Sequence, residues 1–61
     1  MIPPRDIWKV FTMRLPELVD SIERYRATKG NSILLVKKNG TLMEFSVTPN
    51  LYSWTLMPKK G

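Results

Sequence analysis

An Asn39-Gly40 dipeptide lies between two β-rich runs, 32–38 and 41–47, and restricts the middle of this chain to a β-hairpin. The two residues of such a turn both need positive φ, which Gly accepts freely and Asn tolerates. A two-residue loop would set Lys38 opposite Thr41, Val36 opposite Met43 and Leu34 opposite Phe45. Beyond Val47, Thr48-Pro49-Asn50-Leu51 reads as a turn with Pro in its second position, and 52–57 alternates apolar and polar as a third strand would. A four-residue turn there pairs Val47 with Tyr52, Phe45 with Trp54 and Met43 with Leu56, each a match of large apolar or aromatic partners. The expected core face then carries Leu34, Val36, Met43, Phe45, Val47, Tyr52, Trp54 and Leu56.

Upstream of the hairpin, 15–29 reads as a helix. Leu15, Leu18, Val19, Ile22 and Tyr25 or Arg26 follow the spacing of one helical face, and Pro16 suits a first turn. Glu17 and Asp20 lie near the positive end of the helix dipole, Arg26 and Lys29 near the negative end, and Gly30 is placed to cap it. Residues 5–14 fit two descriptions. Ile7, Trp8, Val10, Phe11 and Thr12 are β-favouring types, which tips the reading toward a strand. Ile7, Val10, Phe11 and Arg14 also share a helical face behind Pro3-Pro4, so a short helix is the alternative. The expected fold is α+β: one amphipathic helix packed on a three-stranded antiparallel meander, with an N-terminal strand (or short helix) added. The order is β-α-β-β-β, or α-α-β-β-β.

At 61 residues the chain is expected to form a single small domain, 1–61. A domain of that size buries only about 60% of the surface its unfolded chain exposes, so small domains often rely on a disulfide, a metal or a partner. There are no cysteines and no histidines, which removes disulfides and the usual zinc ligands. Tight packing or association must supply the stability, and a homodimer is one form that association can take. The start of the chain lacks the apolar stretch and small-residue site of a secretory signal, and Ile33–Val36 is too short an apolar run to span a bilayer. The expectation is a soluble, cytoplasmic protein with no membrane span.

Catalytic patterns are missing from the residues. Without His and Cys the commonest general base and strongest nucleophile are absent, and Ser21, Ser32, Ser46 and Ser53 sit in no nucleophile motif. Glu17, Asp20 and Glu23 have basic neighbours on the expected helix and read as a solvated face. The three glycines form no phosphate cradle. The expectation is a non-enzyme with no catalytic residues, no cofactor and no metal.

Two surfaces carry the functional readings. The second sheet face combines Ile33, Leu35, Leu42 and Met57 with polar residues, and an apolar patch on a small protein suggests a partner or cover by residues 5–14. The leading expectation is a regulatory or inhibitory protein–protein interaction module using Ile33, Leu35, Leu42 and Met57, or an edge strand, against a protein with acidic groups. The alternative rests on the net charge of +5. A meander brings the third strand's end beside the Asn39-Gly40 turn, gathering Lys37, Lys38, Lys59 and Lys60 at one end of the sheet, where they could grip a nucleic-acid backbone or another anion. An interfacial membrane helix over 7–11, flanked by Arg5 and Arg14, ranks third.

Overall fold

The computed structural model describes residues 2–60. Two helices precede a four-stranded sheet: α1 (Pro4–Arg14), α2 (Pro16–Val19), β1 (Ile22–Ala27), β2 (Ser32–Lys37), β3 (Leu42–Val47) and β4 (Trp54–Lys59). The strands form an antiparallel meander in the order β1-β2-β3-β4, so the chain is α+β.

The first correction falls on the strand favoured for residues 5–14, which take the alternative and form the helix α1. Ile7, Val10 and Phe11, at i, i+3 and i+4, are all buried, and the hydrophobic face they share overrides their β-propensity. Pro4 occupies the first turn, Asp6 lies at the positive end and Arg14 in the last turn. Pro16 ends α1, because the residue before a proline is pushed out of the α region; Leu15 sits at φ −133° and ψ 57°.

The second correction falls on 15–29. Only Pro16–Val19 is helical, a single turn closed by the Ser21 amide and hydroxyl, which both donate to the Leu18 carbonyl at 3.0 and 2.7 Å. From Ile22 the chain is strand β1. The run Arg24-Tyr25-Arg26 has a period of two, and it alternates between the faces of the sheet. A bulge between Ile22 and Arg24 lets Ile22 enter the core as well. Gly30, at φ +72°, serves the β1–β2 turn instead of capping a helix.

The Asn39-Gly40 hairpin forms, with a register one residue away from expectation. Lys37 pairs with Thr41: its amide donates to the Thr41 carbonyl at 2.8 Å, and the Gly40 amide donates to the Lys37 carbonyl at 2.9 Å. The loop therefore holds Lys38, Asn39 and Gly40. Gly40 has φ +90° and Asn39 is not at positive φ, the pattern of a type I turn closed by a left-handed glycine. A one-residue shift turns every side chain of β2 over. Ile33 and Leu35, both fully buried, face the core opposite Phe45 and Met43, while Leu34 and Val36 face away.

The β3–β4 pairing differs by two residues, which preserves the faces. Val47 pairs with Trp54 and Phe45 with Leu56. The Thr48 side chain sets this register: its hydroxyl accepts hydrogen bonds from the amides of Tyr52 and Ser53 at 3.1 and 3.2 Å. Tyr52 is thereby left in the loop, 80% exposed, and the third strand of the hairpin region begins at Trp54.

The core lies between α1 and one face of the sheet, with Ile7, Val10 and Phe11 above Ile22, Ile33, Leu35, Phe45 and Val47. A line of aromatic contacts crosses it. Trp8 stacks on Tyr25 at 4.8 Å and on Phe11 at 5.3 Å, Phe11 meets Phe45 edge-on at 5.2 Å, and Phe45 stacks on Trp54 at 5.7 Å. Aromatic pairs of this geometry contribute about 0.5–1.5 kcal/mol each beyond the area they bury.

Candidate binding face

Covering one face of the sheet with α1 leaves the other face without a helix. Strand alternation and register place three cross-strand rows there. One row is Thr28, Ser32, Ser46 and Thr55; the next is Arg26, Leu34, Glu44 and Met57; the third is Arg24, Val36, Leu42 and Lys59.

The hydroxyl row is hydrogen-bonded in two pairs. The Thr28 and Ser32 hydroxyls are hydrogen-bonded, and those of Ser46 and Thr55 lie 2.7 Å apart. Ser32 also reaches the Glu44 carboxylate, which accepts at 3.1 Å, and Lys59 Nζ approaches the other Glu44 oxygen at 3.6 Å. The Glu44–Lys59 pair is partly exposed, so its contribution to stability is small. Its effect is local: it holds the Glu44 carboxylate against a lysine. The strand residues of the face otherwise carry the cations Arg24 and Arg26, and the Arg24 side chain lies 3.9 Å from exposed Glu23.

The middle of the face is apolar. Leu34, Val36 and Leu42 are half-buried among their neighbours, and Met57 is 61% exposed. A depression of about 440 Å³ opens here, lined by Thr28, Lys29, Leu34, Leu42, Glu44, Lys59 and Lys60. Leucines line its apolar part, and Thr28, Glu44 and three lysines its polar part, so the lining carries an excess of positive charge. A smaller hollow of about 190 Å³ lies by Ser46, Ser53, Trp54 and Thr55. Among the described residues no three His, Cys, Asp or Glu side chains are grouped to hold a metal ion.

The four apolar residues singled out from sequence separate onto opposite sides. Ile33 and Leu35 are core residues beneath α1, a consequence of the three-residue loop, and a partner cannot reach them in the folded chain. Leu42 and Met57 lie on the open face, where Leu34 and Val36 join them. The four lysines do fall at the same end of the sheet: Lys59 pairs with Leu42, next to the 38–40 loop. They do not form one patch. Lys59 and Lys60 line the open-face depression, while alternation puts Lys37 on the α1 side and Lys38 lies in the loop.

Arg24 and Arg26 were hidden by the helical reading of 15–29. The signal that reveals them is the polar–aromatic–polar alternation of Arg24-Tyr25-Arg26, which is strand-like and directs both guanidinium groups to one side.

The fold and its exposed sheet define a small α+β domain with one covered and one open sheet face. Compared with protein-family models, curated proteins and solved structures, the chain shows no significant match.

Proposed function

We propose that this chain is a non-catalytic protein-binding module of the cytoplasm that uses its open sheet face to hold a partner protein, in a regulatory or inhibitory role. One observation carries the reading: Leu34, Val36, Leu42 and Met57 occupy adjoining positions on a face without a helix, bordered by Arg24 and Arg26 on one side and Lys59 on the other. An antiparallel sheet face left to water tends to alternate to polar residues, whereas apolar residues contiguous across three strands suit burial against a second surface. The cationic border favours a partner whose contact region is apolar at its centre and acidic around it, and it would speed encounter with such a surface.

The test is affinity capture from the organism's own cells with the parent and with Met57→Asp, Leu42→Asp and Met13→Asp. Met13 lies on α1, is 79% exposed and serves as the control. A partner retained by Met13→Asp and lost from the two sheet variants, with all three folded, supports the reading. A partner held equally by all of them rejects it. A bound species removed by nuclease, and weakened by neutralising Lys37, Lys38, Lys59 and Lys60, would instead establish the nucleic-acid reading. Sedimentation of the purified chain shows whether the partner is a second copy.

A further inference from the structure

We infer that the partner adds a strand to the free edge of β1, as an extended segment with acidic side chains at alternate positions. The inference rests on the binding role proposed above and names the mode and chemistry of the contact.

The sheet has two edges, and they differ. Along β4 the amides of Thr55, Met57 and Lys59 point toward β3, a phase fixed by the hydrogen bond from the Thr48 amide to the Ser53 carbonyl at 2.9 Å. The nitrogens of Trp54, Leu56 and Pro58 consequently point outward. Pro58 has no N–H, so this edge lacks one of the donors that an added strand would need. Proline on an outer strand is a common way of blocking edge-to-edge pairing.

The β1 edge carries no such block. The Thr28 amide donates to the Ser32 carbonyl at 3.3 Å, which sets the phase of the β1–β2 ladder. Arg24 and Arg26 therefore direct their amides inward, and Tyr25 and Ala27 direct theirs outward. Ala27 is exposed, a small residue that leaves the approach to the backbone clear. Tyr25 is held by its stack on Trp8 at 4.8 Å, so this stretch of edge is fixed in position before any partner arrives. A rigid strand presenting unpaired donors and acceptors is the element that β-augmentation uses.

Charge selects the occupant. Arg24 and Arg26 project onto the open face from the edge strand, directly beside the path of an added strand. A second copy pairing antiparallel through its own β1, centred on Tyr25 or Arg26, would set arginine against arginine on that face, and like charges directly opposite are destabilising. Alternate acidic residues on an incoming strand would meet both guanidinium groups. Glu23, 3.9 Å from Arg24, lies at the bulge that interrupts the β1–β2 pairing between Ile22 and Arg24.

The experiment uses a fluorescent nine-residue peptide alternating Glu with Val and Thr, and a control peptide of the same composition with its glutamates in one block. Binding is read by anisotropy, and amide hydrogen exchange is followed in the bound protein. The variants are Ala27→Pro, which removes one outward N–H and no bond within the sheet, the charge reversal Arg24→Glu/Arg26→Glu, and Met57→Asp. Circular dichroism and a thermal melt confirm that each is folded. The expected result is binding of the alternating peptide with slowed exchange at the Tyr25 and Ala27 amides. Affinity should fall roughly tenfold in Ala27→Pro, the scale of one lost backbone hydrogen bond, and by more in the charge reversal. Binding that survives Ala27→Pro unchanged but is lost in Met57→Asp would overturn strand addition while retaining the open face as the site. Equal binding of both peptides would reduce the effect to charge alone and overturn the inference, as would no binding by the parent. Partner capture lost through Met57→Asp but unaffected by Ala27→Pro would uphold the binding function and reject only this mode.

Discussion

Leu34 and Leu35 are adjacent in sequence and lie on opposite faces of β2, so replacing each by aspartate separates core from surface with one kind of substitution. Leu35 is fully buried beneath α1. Truncating a buried leucine to alanine costs about 2–5 kcal/mol, and placing a carboxyl group in the same apolar site adds several more even if it takes up a proton. A domain of 61 residues has a total stability of about 3–9 kcal/mol. Leu35→Asp is therefore expected to be largely unfolded in water. Leu34 is half-buried, and a carboxylate there remains in contact with solvent between Arg26 and Glu44. Losing part of the leucine's burial and some strand preference amounts to about 1–2 kcal/mol. Urea unfolding followed by tryptophan fluorescence and far-ultraviolet circular dichroism reads both. With a slope near ~1 kcal/mol/M for so small a domain, the Leu34→Asp midpoint should fall by about 1–2 M. The reverse ranking, with Leu34→Asp unfolded and Leu35→Asp folded, would refute the register and restore a two-residue turn at Asn39-Gly40.

Three further predictions follow from the packing and the turns. Phe11→Ala removes the ring that joins α1 to Phe45 and should destabilise the fold by about 3–5 kcal/mol in chemical denaturation; a loss below ~1 kcal/mol would mean that α1 does not cover the sheet. Gly40→Ala should cost about 1–2 kcal/mol because of its φ of +90° alone, since an added Cβ would meet no atom within 4 Å; Gly40→Asn, which tolerates that conformation better, should lose less in the same assay. Thr48→Val removes the side-chain acceptor of the Ser53 amide and the nearer of two for the Tyr52 amide, and should lower stability by about 1 kcal/mol, with the larger rise in amide exchange at Ser53.

The helix–sheet composition of the fold and the three C-terminal strands are legible in the sequence, because Asn39-Gly40 and Thr48-Pro49 mark the turns and the alternation between them is strong. The register was not legible. Asn-Gly serves both a two-residue and a three-residue hairpin loop, and only the choice of partner for Lys37 distinguishes them. That single residue decides whether Ile33 and Leu35 or Leu34 and Val36 are available to a partner. Residues 5–14, open between a strand and a short helix, and 15–29, expected as one helix, were not settled for a different reason. Ile7, Trp8, Val10 and Phe11 favour strands locally, yet their spacing lets three of them bury together against the sheet. Leu15, Leu18, Val19 and Ile22 carry helical spacing across the end of one short helix and into a strand, where the bulge beside Glu23 breaks the period of two. With β1 concealed, Arg24 and Arg26 could not be placed on the same face as Lys59, at the opposite edge of the sheet.

The measurement that tests the binding role most directly is chemical-shift mapping of the isotopically labelled chain against the partner it captures. The open-face reading predicts perturbed amides at Arg24, Arg26, Leu34, Leu42 and Met57, with Lys9 and Met13 on the outer side of α1 unchanged. Perturbations confined to α1, with the sheet silent, would contradict it.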